Sequence, residues 1–501
     1  MTTVLLSRVV GYVREVYIAW AFGAGKLTDA YNAGFTIPDW LNYLVAGGTA
    51  SITFVSIYTR FLAEKREEDA KKTFSAIITV MSVVLGIGII VAEIFTPQLT
   101  RFWFGGTPQH PGFNQEQLEL CNFLTRILLP AQLFFYVGGV VSAVLLARRM
   151  FLLPALGPLI YNASIILGGV FFSGRLGISS LAYGAVFGSF AGIFLISAIG
   201  AARAGAGYRI SFDVRNPAFR EWVRLSIPLM LGLSLVTVDD WFLRHFASGS
   251  AGDISRLNYA KRLFQVPIAI LGQAAGQASF PFFARLFSEK RMQEFSETVN
   301  SSVSRLVALS VLAASFMMSA ALPLIDLAYR RGLFHRSDSQ ETAAYFFYFS
   351  ISLAFWSAQA LYARAYYASG NTLIPMIATT AITVVSYFVY AALYHTFSIT
   401  GLVIASDLGI TANCVAIAFL LHRARLVSVG GLQWGELGKA ALAAVVAGIL
   451  SYQVASMWAG GSRWDDVRSL GLGAITWAAA VAAGLWMTRS QLLRGLKRSR
   501  A

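Results

Sequence analysis

The sequence predicts an all-α polytopic membrane protein of about 14 transmembrane helices, built as two six-helix lobes in a parallel pseudo-repeat plus two C-terminal helices. Three observations predict it. Of 501 residues, 56% are hydrophobic and 13% charged, and the mean hydropathy is +0.61, whereas a soluble chain carries about 25% charged residues. Apolar stretches of roughly 20 residues, enough to cross about 30 Å of hydrocarbon, recur from one end of the chain to the other. Short blocks of the first half return in the second at a nearly constant offset, the mark of a duplicated unit.

Spans are expected near 3–23, 28–58, 73–96, 118–147, 151–173, 177–201 and 221–246, then near 256–284, 304–329, 341–368, 373–396, 399–422, 437–458 and 469–487. The first reads as a retained anchor, not a cleavable signal, because Arg8, Arg14 and Glu15 interrupt its apolar run and no cleavage site follows. The second and eighth are the most polar. Pro38, Gly47 and Gly48 in the second, and Pro267, Gly272 and Gly276 in the eighth, are the expected hinges. Loop 59–72 reads as a short amphipathic helix. Stretch 102–117, rich in Gly and Pro, is a loop on the opposite face with no room for a domain. Loop 202–220, with Arg203, Arg209, Arg215 and Arg220, reads as a surface against lipid headgroups.

Most of the 40 Lys and Arg residues lie in the loops on the same side as the two ends of the chain. The positive-inside rule therefore places both termini of this inner-membrane-type protein on the cytoplasmic side. The net charge of +15 then reports loops facing an anionic leaflet, with no nucleic-acid partner implied.

The repeat rests on particular residues. Pro38 and Gly47 return as Pro267 and Gly276. The run Arg60 to Lys65 (RFLAEK) returns as Arg285 to Lys290 (RLFSEK), and Pro154 and Leu181 return as Pro375 and Leu402. The offset shrinks by one helical turn between blocks, as small deletions produce. An even number of helices separates the copies, so the repeat is parallel. This divides the chain into 1–205, 206–430 and the C-terminal helix pair with its basic tail, 431–501, with a cleft expected between the two lobes.

Charge at membrane depth costs a few kcal/mol or more per group and marks partners or pathways. Arg8 and Arg14 are candidates for an anionic ligand, since guanidinium forks suit phosphate oxygens. The plainer alternative for Arg14 is an internal ion pair with Glu15, Asp29 or Asp39. In the eighth span, Arg262 is a candidate of the same kind, while Lys261 is expected to snorkel to the outer headgroups. Asp239 and Asp240 either bind a coupling cation or pair with Lys261 and Arg262, and Glu15 is a further coupling candidate. Asp407 and Asn413 are weaker candidates for the same role.

No enzyme is expected. The sequence has no P-loop, no Gly-x-Ser-x-Gly elbow and no His/Cys metal spacing, and Cys121 and Cys414 form no pattern. No cofactor or metal is expected, and energy would come from a coupling ion (Na+ or H+) or the membrane potential.

These residues resemble a known family. Ser7-Arg8-Val9, Gly11-Tyr12, Arg14-Glu15, then Phe22-Gly23-Ala24-Gly25, Thr28-Asp29-Ala30-Tyr31 and Ile37-Pro38 look like the opening of the MurJ (MviN) family, within the multidrug/oligosaccharidyl-lipid/polysaccharide exporter superfamily. Leu257-Asn258-Tyr259-Ala260-Lys261-Arg262-Leu263 looks like the family's eighth-helix motif. The resemblance implies a flippase that carries lipid II, the undecaprenyl-pyrophosphate-linked peptidoglycan precursor, to the outer leaflet by alternating access through a cationic cavity. It implies that Arg8, Arg14, Asp29 and Arg262 take part in that work, and that the last two helices hold the polyprenyl tail. The chain departs from the family pattern at Asn42-Tyr43, where basic residues are typical, at Gly47-Gly48 for a Glu-Gly pair, and at Lys261 for an Asp. Asn42 and Lys261 join the substrate-binding candidates on that ground. The implied partners are the lipid-linked precursor, membrane lipids and cell-wall synthesis proteins, with the chain itself a monomer. The alternatives are a polysaccharide-lipid flippase, a cation or drug antiporter of the same superfamily, or a non-transporting cell-wall scaffold.

Overall fold

The computed structural model describes residues 2–46, 49–107, 110–231, 234–458 and 462–492. In chain order its helices are α1 (Thr2–Phe22), α2 (Lys26–Gly34), α3 (Thr36–Ala46), α4 (Thr49–Ala63), α5 (Glu67–Phe104), α6 (Gln115–Leu128) and α7 (Ala131–Ala147). They continue as α8 (Leu152–Leu176), α9 (Ser179–Gly188), α10 (Ile196–Arg203), α11 (Pro217–Leu231), α12 (Leu235–Phe246), α13 (Asp253–Ile268) and α14 (Ala274–Ser288). The last are α15 (Met292–Ser319), α16 (Ala321–Tyr329), α17 (Arg336–Ile351), α18 (Leu353–Ala368), α19 (Leu373–Arg423), α20 (Trp434–Ser456) and α21 (Arg463–Met487). Among the described residues, each expected span falls mainly on helix.

Eight helical stretches among the described residues are long and apolar enough to cross a membrane unaided. α5 shows why. Phe74, Ile77, Ile78 and Leu85 are buried on one side, while Val83, Ile87, Ile90 and Ile94 stand exposed on another. Apolar side chains on both faces suit lipid outside and packing within.

Several expectations are refined. Span 28–58 is broken into α2, α3 and α4, and Pro38 sits in the first turn of α3, where its missing N–H breaks no helical bond. Loop 59–72 holds no separate helix: α4 runs to Ala63, a turn follows, and α5 begins at Glu67. The loop after α5 carries a minimal antiparallel ladder of Gly106–Thr107 on His110–Pro111. Spans 373–396 and 399–422 are continuous helix except for a sharp break at Ser398, with φ 51° and ψ −137°.

The duplication is visible in the backbone. Residues with positive φ recur as pairs at the offsets of the sequence blocks: Gly23 with Gly252, Lys65 with Lys290, Arg149 with Gly370, and Gly177 with Ser398. Side chains follow suit. Arg66 grips Glu64 at 3.0 Å and Asp69 at 2.9 Å, and Arg291 grips Glu289 at 3.0 Å and Glu294 at 2.5 Å. In the second copy Arg285 and Arg291 hold the Glu289 carboxyl below its usual range.

The chain divides into two compact units, Met1–Gly232 with Ser248–Ser255, and Leu233–Ala247 with Arg256–Ala501. The first therefore runs past residue 205 and includes α11, whose Phe219 and Trp222 share a core with Phe54, Tyr58, Phe74 and Val144. Within it, α8 packs closely on α9, because Gly184 and Gly188 let the backbones approach. A Cβ at Gly184 would lie 2.6 Å from the Ser164 carbonyl, and one at Gly188 2.9 Å from the Tyr161 Cα. The second unit has its own core of Phe283, Phe295, Leu361, Tyr366 and Ile417. The C-terminal pair α20 and α21 belongs to it, held to α15 by Ser319–Ser451 at 3.0 Å and Trp477 Nε1–Ser315 at 2.9 Å.

Candidate functional site: two buried polar clusters

In the first unit, Arg14 lies about 18 Å along α1 by helical rise, and its side chain is 18% exposed. Its guanidinium pairs with Glu15 and donates through Nη1 to Asn162 Oδ1 on α8 at 2.9 Å. Nε is buried without a hydrogen-bond partner. Gly11, one turn earlier, faces the same amide, and a Cβ there would lie at ordinary contact distance, 3.5 Å, from Asn162 Nδ2. Glu15 is buried. The internal Arg–Glu pair weighed from the sequence is thus present, and it takes up Glu15, which had been a coupling candidate. Arg8 is exposed. Asn42 Nδ2 donates to Gln132 Oε1 at 2.7 Å.

Asp29 is fully buried. Its carboxylate accepts from the backbone N–H of Gly252 and Ser255 and from the Ser255 hydroxyl, the last two at 2.8 and 2.6 Å. These donors belong to the first turn of α13 and the residue before it, so Asp29 caps a helix N-terminus, where negative charge is favoured. The resemblance implied a part in the transport work. The geometry gives Asp29 a structural duty.

In the second unit, Lys261 on α13 is buried and its ammonium pairs with both Asp239 and Asp240 on α12. It does not snorkel. Asp239 also accepts from the Tyr390 hydroxyl and, at 3.0 Å, from the Ser406 hydroxyl, both on α19. Nearby on the same helix, Asp407 Oδ1 is buried without a hydrogen-bond partner, and Asn413 accepts from Thr379 at 3.0 Å. Arg262 is half-buried, with Nη1 3.4 Å from Gln265 Oε1. Lys261 stands where a mobile cation would neutralise the aspartates, so the salt-bridge alternative is the one the geometry shows. Among the described residues no group of three or more His, Cys, Asp or Glu is placed to hold a metal ion.

Of the expected hinges, Pro267 lies inside α13 and is followed by a π-helical stretch, Ala269–Gln273, that contains Gly272. A proline interior to a helix removes a hydrogen bond, and a π turn is one way the backbone accommodates it. Gly272 and Gly276 face α18, where a Cβ on either would meet ordinary contact, 3.5 Å from the Ser357 Cα and the Ala360 carbonyl oxygen respectively. Gly47 and Gly48 lie outside the described residues.

The sequence reading missed Asn162, Gln132, Tyr390 and Ser406. Asn162 had a signal, being a lone amide in the apolar run LLPALGPLIYNASIILGGV. A tyrosine and a serine in apolar helices carry none until their partner is known.

A family model described as "Lipid II flippase MurJ" matches residues 18–464. A probable lipid II flippase MurJ of Thermotoga maritima is 27% identical over 410 residues, 82% of this chain and 81% of that one. Its counterpart from Buchnera aphidicola is 25% identical over 436 residues, 85% and 83% of the two chains. Among solved structures, a lipid II flippase MurJ in an inward closed conformation superposes with a TM-score of 0.78 at 19% identity, over 97% of this chain and 98% of the other. An inward-facing MATE family transporter of the MOP superfamily gives 0.67 at 16% identity, over 84% and 98%. The match to that family model spans most of the sequence, and the chain belongs to the MurJ family of lipid II flippases.

Proposed function

We propose that this protein carries lipid II from the cytoplasmic to the outer leaflet of the bacterial inner membrane by alternating access, with both termini cytoplasmic. No bond is made or broken, and the protein works as a monomer among membrane lipids, close to the cell-wall synthesis proteins that use its product. The observation that carries the head-group reading is Arg14: a guanidinium at membrane depth, partly exposed, with a buried Nε donor unmet. A pyrophosphate supplies oxygens for that donor and can exchange with Glu15 for the fork. In this reading Glu15 and Asn162 hold Arg14 in position between cycles, Arg8 and Arg262 add positive charge, and Asn42 and Gln132 offer neutral donors.

The drive, in the same reading, is the membrane potential. An anionic head group moving outward across an inside-negative membrane gains about 2.3 kcal/mol per charge per 100 mV. Lys261 already occupies the place between Asp239 and Asp240 that a coupling cation would take, which supports a drive independent of Na+. Two experiments test these points. Expression in cells depleted of their own lipid II flippase should restore growth and outer-leaflet lipid II, and failure of a well-expressed full-length protein overturns the substrate assignment. Replacing Na+ by K+ should leave transport unchanged while collapse of the potential stops it, and the opposite pattern would return the aspartates to a cation-coupling role.

A further inference from the structure

Residues 206–213, between α10 and α11, form neither helix nor strand and alternate in character, and a turn at 214–215 leads into α11. Tyr208, Ile210, Phe212 and Val214 are 50, 75, 62 and 48% exposed, and Arg209, Asp213 and Arg215 occupy positions between them. Period-two alternation gives an extended segment one apolar and one polar side. Four apolar side chains in a row of exposed positions are unusual for a segment bathed in water.

The depth of the segment is set by its hydrogen bonds. The backbone N–H of Arg209 donates to Ser75 Oγ at 3.1 Å, and that of Ser211 to Thr79 Oγ1 at 3.2 Å. The Tyr208 hydroxyl bonds the same threonine at 3.0 Å. Ser75 and Thr79 follow the last charged residue at that end of α5, Lys72, by about 5 and 10 Å along the helix, at the start of its apolar run. The ribbon therefore lies beside the first turns of a membrane span, where water is scarce and backbone donors need protein partners. Hydroxyls inside α5 provide them. Charge completes the picture: Arg203, Arg209, Arg215 and Arg220 flank the apolar side chains, and the segment's Asp213 is engaged by the Arg215 N–H at 3.2 Å.

We propose that residues 206–216 form an interfacial anchor, an amphipathic ribbon whose apolar side dips into the leaflet at the N-terminal end of α5 while its arginines bind anionic phospholipid headgroups. Acyl chains cover Ile210 and Phe212, as aromatic and aliphatic side chains do in interfacial helices. This rests on the membrane-spanning fold and not on the identity of the transported lipid, so the two can fail separately.

The test uses the full chain with Phe212→Cys, labelled with an environment-sensitive maleimide. Both native cysteines are buried, and labelled wild type sets the background. Glu68→Cys, on the exposed first turn of α5, reports the aqueous side. In vesicles of phosphatidylcholine with phosphatidylglycerol, the probe at 212 should emit to the blue, be quenched by shallow spin-labelled lipid, and resist iodide several-fold better than the probe at 68, because a side chain sunk among acyl chains is screened from an aqueous anion. Iodide quenching equal to that at 68 overturns the anchor. Arg209→Gln with Arg215→Gln should weaken lipid quenching in anionic vesicles and leave it unchanged in phosphatidylcholine alone; equal quenching in the two vesicle types before mutation overturns the anionic preference. Ile210→Cys repeats the measurement if the change at 212 disturbs folding.

Discussion

At the scale of single residues, two cations decide how the protein is understood. Arg14 is held by Glu15 and Asn162 and keeps one buried donor unmet. Arg14→Ala should abolish flipping while the protein is still expressed, with a lower melting temperature because the buried Glu15 loses its partner, and Arg14→Lys should recover little transport, because a point charge cannot replace a fork. Full activity of the alanine variant would reduce Arg14 to a packing element. Lys261 is the contrasting case, with both its partners in the protein. Lys261→Met leaves the buried Asp239 without its ammonium partner, and truncating one side of such a pair costs about 3–5 kcal/mol. A large drop in melting temperature is expected, with partial recovery on adding Asp239→Asn. A variant as stable as wild type would show that the aspartates take their counter-charge elsewhere.

Helices and turns carry the record of duplication. Gly177 and Ser398 occupy corresponding turns with nearly the same dihedrals, φ 56° and ψ −140° against φ 51° and ψ −137°. Only glycine adopts that region without strain, and the serine is exposed and so is not held there by burial. Ser398→Gly should therefore stabilise the protein by about 1 kcal/mol, seen as a rise in melting temperature with transport intact. An unchanged or lower value would mean that the loss of chain entropy outweighs the relief. The turns themselves were legible in part. RFLAEK and RLFSEK pointed to a repeat, but the ion-pair grips of Arg66 and Arg291 could not be read, because they depend on a left-handed lysine that no sequence rule demands.

For the whole molecule, orientation is the property that composition argues most firmly. The Lys/Arg asymmetry predicts that a cysteine placed at Glu68 reacts with a membrane-impermeant reagent only from the cytoplasm, and one at Gln115 only from outside. Reaction from the opposite sides in intact cells would invert the topology and the direction of transport with it. The fold was legible because the bilayer imposes one length and one solvation rule on every span. The spans that fail to qualify as simple apolar helices are informative in their own right. α1, α2 to α4, α12 and α13 lie outside the eight apolar stretches, and they carry Arg14, Asp29, Asn42, Asp239 and Lys261.

The sequence by itself determined the class, the spans, the duplication and which helices bear charge, since each follows from hydropathy and from local repeats along one dimension. Only the tertiary structure decided what those charges do. Asp29 caps a helix more than 200 residues away, Arg14 meets an amide on α8, and Lys261 closes on two aspartates of α12 with Tyr390 and Ser406 behind them. A buried charge must find a partner, but which one it finds depends on which helices pack together. Sequence alone cannot rank those pairings, because every apolar face of a membrane helix accepts lipid or another helix at nearly the same cost.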